Sequence, residues 1–440
     1  MIPDSSVLER SPAWPRAVQV LDTLRAGGYK GLVVGGAVRD MLLGISPHDV
    51  DILTNAGPDD IARLFAGTRI RHVGQTFEIS LVNGVEVASC RGNGTFPGAD
   101  LGMRDFTINS MAWDSFSHTL FDPHNGQQDL SNRMIRFTLD PGERIEEDPV
   151  RMIRACRFAA RYDSRIDPDA LTAIRASKQD LHTRAAGERV RTELLKAMAM
   201  KTPSVFFNLL HAADLLDQVL PSLDRCHGLD GGPFHGETVF EHCLLVGDAL
   251  PARLPLLRLA GYLHDVGKFD AARMKEGKLT FAGHETHRDA LAKDLERLRF
   301  SNRETAYIFS LVRAHMRPLN QDSTPRAVRR LLAFLDSLGL SYRDFFRLRM
   351  ADKGGNLAKF PYTISEARLR LQKILDQVTA GAAFTPNDLA ISGRDIQTLL
   401  DIGPGPRVGE VKAFLFEKVL DDPDLNTRAA LETLVREMNP

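Results

Sequence analysis

The stretch that decides the fold is GGAVRD at residues 35–40, followed shortly by DVD at residues 49–51. The apolar run GLVV at residues 31–34 predicts a short buried strand that ends at the glycine pair, and the segment that begins at Val38 predicts a helix. Glycines at a strand-to-helix turn let backbone N–H groups approach a phosphate, and the helix N-terminus favours negative charge there.

The DVD segment adds two carboxylates, Asp49 and Asp51, in a run that has β-strand character. Alternation along a strand predicts that both side chains lie on one face, where they share divalent cations. A phosphate-binding turn followed by paired acids is typical of a two-metal nucleotidyl-transfer site. The alternative interpretation is an ordinary glycine turn with two surface acids.

The composition is that of a globular protein with sizeable cores. The chain has 440 residues, of which 43% are hydrophobic and 26% are charged, and this length predicts about three domains. The net charge of −1 excludes a uniformly basic surface. Residues 299–349 nevertheless hold ten Arg and four acids, which is consistent with either a nucleic-acid groove or a solvated helical face.

The four cysteines show no CxxC pairing, and the sequence shows neither a signal peptide nor an apolar run of membrane-spanning length. We therefore expect a cytoplasmic protein with no membrane partner. Short strands and helices mix up to about residue 137, and helical periodicity continues from Asp148 almost to the last residue. The predicted fold class is α+β, with an α/β head followed by all-helical domains.

Two further segments carry chemistry. Arg104 and Asp105 offer a cation for a triphosphate and an acceptor for a ribose hydroxyl, although such a pair is more often a surface ion pair. Asp148 followed by Pro149 predicts the start of a helix. Asp148 and the first arginine of that helix can present an acceptor–donor pair to a nucleobase edge while the next two meet phosphates; these arginines are Arg151, Arg154 and Arg157. The alternative is a capped helix with a solvated arginine stripe.

These segments together resemble the class II tRNA nucleotidyltransferase and bacterial poly(A) polymerase family, a branch of the DNA polymerase beta superfamily. The matching stretches are GGAVRD (35–40), DVD (49–51), RDFTINSMA (104–112), EDPVRMIRACRFA (147–159) and ERVRTEL (188–194). The resemblance implies that Asp49 and Asp51 are catalytic and bind Mg²⁺. It implies further that the nucleotide is bound by Gly36, Arg39, Arg104, Asp105, Asp148, Arg151, Arg154 and Arg157. Glu86, on a predicted strand, is either a third carboxylate or part of a polar strand face.

Two features depart from the family pattern. The family usually has two arginines before the Asp, and here Met103 replaces the first. Only the glycine-rich residues 92–103 precede Arg104, whereas CCA-adding relatives have a longer flexible loop that switches the site from CTP to ATP. A short loop is typical of relatives that add only the two cytidines.

The helical region contains a second set of residues, centred on His264-Asp265 in the stretch LHDVGK (263–268). Adjacent His and Asp at a helical bend, with further His and Asp on other helices, suit one or two divalent metals that activate water. The predicted ligands are His242, His264, Asp265, His284 (or His287), His315 and Asp352. The set resembles the HD superfamily of metal-dependent phosphohydrolases and implies Mg, Mn, Ni or Co.

The expected protein is therefore a tRNA 3′-terminal nucleotidyltransferase that uses CTP, stops after two cytidines and leaves the last A to a separate A-adding enzyme. The alternatives are a full CCA-adding enzyme that also uses ATP, a poly(A) polymerase or A-adding enzyme, and an HD phosphohydrolase whose head binds RNA. The expected domains are a head (1–140), a neck (141–225), an HD domain (226–355) and a tail that binds tRNA (356–440).

Overall fold

The computed structural model describes residues 4–68, 70–73, 79–92, 95–379 and 383–438. The chain divides into two compact units, one formed by residues 1–193 with 205–218 and the other by residues 194–204 with 219–440. None of the helices in the described ranges combines the length and the apolar character that a membrane crossing needs.

The first unit is built on a seven-stranded sheet. Its strands are β1 (Gly31–Val34), β2 (Asp51–Thr54), β3 (Ile70–Val73), β4 (Ile79–Val82), β5 (Val85–Ser89), β6 (Ala112–Asp114) and β7 (Thr119–Phe121). The strand order is β3-β4-β5-β2-β1-β6-β7, in which β2 and β5 run parallel and the other neighbours antiparallel. Every residue of β1 is buried, as the apolar run predicts. The predicted mixed head is confirmed.

The register of the central strands positions the acidic residues. Ile52 of β2 lies opposite Val87 of β5 in the parallel pair, so Asp51 and Glu86 lie side by side at the start of their strands. Asp51 also lies opposite Val34, the last residue of β1. The glycine turn after β1 therefore borders the same end of β2 that carries Asp51.

Helices make up the rest of the first unit. They are α1 (Ser6–Glu9), α2 (Trp14–Ala26), α3 (Gly36–Leu42), α4 (Pro58–Leu64), α5 (Gly98–Gly102), α6 (Gly126–Ser131), α7 (Pro141–Glu147), α8 (Val150–Arg161), α9 (Pro168–Ala176), α10 (Asp180–Thr183), α11 (Gly187–Met198), α12 (Ser204–Ala212) and α13 (Leu216–Val219), of which the last three run past its boundaries. A short parallel pair, β8 (Met134–Ile135) and β9 (Arg165–Ile166), lies beside α8.

Helix α8 begins one residue later than the sequence predicts. Pro149 flanks the helix, and a carboxylate oxygen of Asp148 accepts a hydrogen bond from the Val150 N–H at 3.2 Å. Met152, Ile153 and Cys156 are fully buried, so the arginines of α8 lie along a separate stripe, as the three-residue spacing predicts.

The second unit is helical apart from the hairpin β10 (Arg273–Lys275) and β11 (Lys278–Thr280). Its helices are α14 (Pro221–Asp224), α15 (Val239–Ala249), α16 (Pro255–Leu263), α17 (Lys268–Ala271), α18 (Asp289–Arg297), α19 (Asn302–Ala314), α20 (Pro325–Ser337), α21 (Tyr342–Gly355), α22 (Ile364–Thr379), α23 (Gly393–Leu400), α24 (Pro406–Asp421) and α25 (Arg428–Glu437). Helices α23, α24 and α25 share one apolar core around Ile396, Val411 and Leu431.

Two glycines let the elements of the second unit approach closely. A Cβ on Gly247 of α15 would lie 2.4 Å from the Tyr262 ring of α16. A Cβ on Gly267 would lie 2.2 Å from the backbone oxygen of His284. Any larger residue would push these elements apart, so both glycines bring histidine-bearing segments together.

Candidate active site of the head and metal centre of the helical region

Two carboxylates face each other at the start of the central strands. Asp51 and Glu86 line a cavity of about 200 Å³ together with Arg91 and Arg104. Burial and the charge of Glu86 raise the pKa of Asp51 to about 6, and the charge of Asp49 contributes in the same direction. Like charges held this close attract a cation, so this donor set fits a divalent metal.

Asp49 is placed differently from its expected position. Strand β2 begins at Asp51, so Asp49 precedes the strand and does not share a strand face with it. Its side chain is 82% exposed and lies 3.0 Å from Nδ1 of His48. Its charge still contributes to the raised pKa of Asp51. The two acids are therefore close, but only Asp51 belongs to the cavity wall described above.

The glycine turn brings Arg104 close to the backbone. Gly35 has a φ of +66°, which an L side chain rarely adopts, and a Cβ there would lie 2.8 Å from a terminal nitrogen of Arg104. Helix α3 begins at Gly36, two residues before the predicted start at Val38. Glycine at residue 35 is thus required by both its conformation and the approach of the guanidinium.

Arg39 is engaged by the protein itself. Its guanidinium donates to Asp40 at 2.8 and 3.0 Å and to the Asn109 side chain, and it lies over the Tyr162 ring at 4.7 Å. The residue is only 5% exposed. The structure therefore places Arg39 among protein partners, and its contact with a triphosphate stays a prediction.

The segment before Arg104 is packed. Asn93 and Gly94 lie outside the described residues, and the remainder contains α5 with the fully buried Asp100. Asp100 accepts hydrogen bonds from Arg91 at 2.6 Å and from Arg104 at 3.1 Å. This carboxylate therefore ties α5 to residues on both sides of the segment.

Asp105 already has a full set of partners. One oxygen accepts from the Phe106 N–H and the Asn109 amide, and the other accepts from Arg154 at 2.6 and 2.9 Å. Burial alone would raise the pKa of Asp105, but Arg154 and Asn109 outweigh burial and lower it. The structure joins Asp105 to Arg154, and the expected ribose contact stays a prediction.

Helix α11 supplies partners that the sequence reasoning missed. The buried Glu193 accepts from Arg157 at 2.5 Å and from Arg154 at 3.5 Å. Arg189, one turn earlier, donates to both oxygens of Asp148 at 2.9 and 2.6 Å. The sequence signal that could have indicated these two partners is the i, i+4 spacing of Arg and Glu in ERVRTEL.

Arg151 turns towards α7. Its guanidinium donates to the Arg144 carbonyl at 2.9 Å and to Glu147 at 2.8 Å. Asp148 and Arg151 are thus each held by a separate partner, and their joint contact with a nucleobase stays a prediction.

The second unit brings all six predicted metal ligands together. Asp265 lies 3.0 Å from Nε2 of His284 and 3.3 Å from Nε2 of His315. Asp352 lies 3.2 Å from Nε2 of His242 and 3.8 Å from Nε2 of His264. The structure therefore selects His284 over the alternative, His287.

The four histidines share one orientation. Each Nδ1 lies against a backbone carbonyl, at Gly355 (3.2 Å), Gly261 (2.7 Å), Phe281 (2.9 Å) and Val312 (2.6 Å) for His242, His264, His284 and His315 respectively. Donation from Nδ1–H leaves the Nε2 lone pair for a metal. Nε2 of His264 is buried and has no hydrogen-bond partner among the described residues, so the residues present fit a metal.

Comparisons with known proteins identify the family of the chain and its domains. Three family models match: the poly A polymerase head domain (residues 32–93 and 95–136), the probable RNA and SrmB-binding site of polymerase A (165–226) and the HD domain (235–344). An A-adding tRNA nucleotidyltransferase from Deinococcus radiodurans is 33% identical over 408 residues, which cover 88% of this chain and 90% of that protein. The chain belongs to the tRNA nucleotidyltransferase and poly(A) polymerase family.

Other members of the family are also similar to this nucleotidyltransferase. A CC-adding tRNA nucleotidyltransferase from Shouchella clausii is 37% identical over 198 residues, 44% of this chain and 51% of that protein. The crystal structure of the Bacillus stearothermophilus CCA-adding enzyme in complex with CTP has a TM-score of 0.70 at 23% identity, covering 97% of this chain and 98% of that one. The similarity to the solved structure shows the fold.

The HD domain of this nucleotidyltransferase holds three more polar groups that the sequence reasoning gave no role. Glu237 lies 2.7 Å from Nδ1 of His235 and 3.1 Å from Nδ1 of His242. Lys268 lies 2.7 Å from Asp265, and its ammonium helps to lower the pKa of that buried carboxyl. His235 and Lys268 line a cavity of about 590 Å³. Four of the six predicted ligands line the same cavity: Asp265, His284, His315 and Asp352. The sequence signal was the position of Lys268 three residues after Asp265.

Proposed function

We propose that this nucleotidyltransferase adds two cytidines from CTP to the 3′ end of tRNA and leaves the terminal A to a separate A-adding enzyme. The observation that carries the proposal is the packing of residues 95–103 around the buried Asp100. In CCA-adding relatives, a longer flexible loop at this place helps to switch the site from CTP to ATP. Here Asp100 holds both Arg91 and Arg104, so the described part of the segment has little freedom to act as such a lever.

The chemistry that fits the head is in-line displacement at a phosphate. The primer 3′-hydroxyl attacks the α-phosphate of CTP, and pyrophosphate leaves. Asp49 and Asp51 would hold Mg²⁺, with Glu86 beside Asp51. Bound Mg²⁺ supplies charge stabilisation for the attacking and leaving oxygens. Arg104 supplies a fixed cation for the triphosphate, because Asp100 and the close approach at Gly35 define its position.

The names of the relatives do not choose between products, because they include both A-adding and CC-adding enzymes. The next candidates are a full CCA-adding enzyme, and then an A-adding enzyme or poly(A) polymerase. All of them use the same head chemistry and differ in how the neck reads the base.

One experiment separates these products. Purified protein is incubated with tRNA that lacks its terminal CCA, together with CTP, ATP or both, and the products are sized on a sequencing gel. The proposal expects two added nucleotides with CTP and no further extension when ATP is also present. Completion to CCA would show a full CCA-adding enzyme. Extension with ATP alone would show a poly(A) polymerase, and addition of A only to tRNA ending in CC would show an A-adding enzyme.

A second function, metal-dependent phosphohydrolysis, is favoured by the convergence of six ligands around an unpartnered Nε2 of His264. The test is release of phosphate from nucleotide monoesters with Mg, Mn, Ni or Co, alongside metal content measured after dialysis. The expected result is one or two bound ions and metal-dependent release. Absence of bound metal at saturating concentrations would overturn this assignment and leave nucleotide addition untouched.

A further inference from the structure

A two-pronged ion pair holds the carboxylate proposed to read the base. The guanidinium of Arg189 on α11 donates to Oδ1 of Asp148 at 2.9 Å and to Oδ2 at 2.6 Å. Two parallel N–H···O bonds fix the plane of a carboxylate, whereas a single contact leaves it free to rotate. The Asp148 side chain is 20% exposed, so it remains accessible to a ligand.

A count of lone pairs shows what Asp148 still offers. Each carboxylate oxygen has two acceptor positions. Oδ1 accepts from Arg189 and from the Val150 N–H at 3.2 Å, so both of its positions are occupied. Oδ2 accepts from Arg189 and retains one. Asp148 therefore presents a single acceptor in a fixed direction.

Helix α11 is itself held in place beside α8. Glu193 lies one turn after Arg189 and is buried, with ion pairs to Arg154 and Arg157. These charge-assisted bonds position the helix from which Arg189 reaches Asp148. Arg189 thus acts from a supported element rather than from a loop.

We infer that Arg189 is a specificity-determining residue, because it fixes the one remaining acceptor of Asp148 at the place that the amino group of cytosine reaches. This inference rests on the proposed function of CTP addition. Cytosine and adenine both carry an amino donor, but at different distances from the ribose, so a fixed acceptor distinguishes them by position. Uracil carries a carbonyl where cytosine carries the amino group, so at that place it presents lone pairs instead of a donor to Asp148 whichever way the carboxylate is turned.

Rates measured with CTP, ATP and UTP therefore distinguish a role of Arg189 in base selection from a purely structural role. Loss of Arg189 leaves Asp148 in place with its acceptors free to turn, so discrimination between CTP and ATP falls while discrimination between CTP and UTP remains. General damage to the neck would instead lower the rates with all nucleotides together. An exposed ion pair contributes little to stability, and Arg189 is 56% exposed, so the variants are expected to fold.

The experiment compares Arg189→Gln and Arg189→Lys with the wild-type full chain. For the first addition to tRNA lacking CCA, kcat and KM are measured with CTP, ATP and UTP, and the Kd for CTP is measured without tRNA. The control is Arg175→Gln, which removes another exposed arginine that contacts a carboxylate in the same unit. For Arg189→Gln we expect the CTP preference over ATP to fall about tenfold, the preference over UTP to change less than about twofold, and the Kd for CTP to rise. Arg189→Lys is expected to lose part of the CTP preference over ATP, and the Arg175→Gln control is expected to match the wild type.

Three results would overturn the inference: an unchanged CTP to ATP ratio, an equal loss for all three nucleotides, or a lower Kd for CTP. The last result would mean that Arg189 competes with the base for Asp148. Failure of the wild type to prefer CTP would instead refute the proposed function, so the two failures are distinguishable.

Discussion

Replacing Asp51 with asparagine should stabilise the first unit of the metal-free protein while abolishing nucleotide addition. Burial and the neighbouring Glu86 raise the pKa of Asp51 from 3.8 to about 6, so its ionised form is disfavoured in the folded state. A shift of about two units corresponds to about 3 kcal/mol above pH 6 as an upper bound. If the substitution removes between half and all of this free-energy penalty, the melting temperature of a unit of this size should rise by about 3–10 °C.

The sign of the pH dependence follows from the direction of the shift. Between pH 4 and 6 the folded state binds more protons at Asp51 than the unfolded state does, so the wild type gains stability as the pH falls. The advantage of Asp51→Asn is therefore fully present above pH 6 and disappears near pH 4. Scanning calorimetry of the full chain in EDTA, from pH 4 to 8, measures this difference in stability between the variant and the wild type.

Asp49→Asn is the matched control, because its carboxylate is 82% exposed and should give little change in stability. Added Mg²⁺ should stabilise the wild type more than the Asp51 variant, because the variant lacks a ligand. The reasoning is refuted if Asp51→Asn is no more stable than the wild type in EDTA at pH 7.5. An equal gain for Asp49→Asn would also contradict it.

Three further predictions concern the separate parts of the chain. Asp49→Ala should abolish nucleotide addition while tRNA binding stays within a few-fold of wild type in a filter-binding assay; near-normal turnover at saturating Mg²⁺ would contradict its role. His264→Ala combined with Asp265→Ala should remove bound metal and phosphohydrolase activity but not CTP incorporation, and loss of both activities in a folded variant would refute their independence. Replacing residues 92–103 with the longer loop of a CCA-adding relative should allow addition of a terminal A, which the sequencing gel detects. Continued stalling after two cytidines would show that loop length does not determine the number of nucleotides added.

The sequence was sufficient where local patterns determine the structure. The run 31–34 forms a fully buried strand because four apolar residues before a glycine pair fit only an interior position. A helix follows that turn, as predicted, although α3 begins at Gly36, two residues before the predicted start. The residues predicted as HD ligands lie close together, because Leu263-His264-Asp265 lies where one helix ends and the rest are carried by packed neighbours; that they bind a metal stays a prediction.

The sequence was insufficient where a residue's partner is distant in the chain. Strand β2 starts at Asp51, two residues after Asp49, because pairing with β1 and β5 begins there, so strand alternation does not determine where the Asp49 carboxylate lies. Arg39 was expected to face a phosphate, but Asn109, 70 residues away, engages it together with Asp40. No periodicity within either segment specifies such contacts.

The two candidate metal sites carry opposite electrostatic balances. In the head, Glu86 and burial disfavour the ionised form of Asp51, so the site loses its charge through one carboxyl as the pH falls through about 6. In the HD domain the pKa of Asp265 is well below its usual range, because nearby histidines and Lys268 outweigh burial. Carboxylates there also raise the pKa of His242 and His284 against the effect of burial. A metal binds neutral imidazoles and ionised carboxylates, so metal affinity should fall as the pH falls at both sites, through His242 and His284 in the HD domain and through Asp51 in the head.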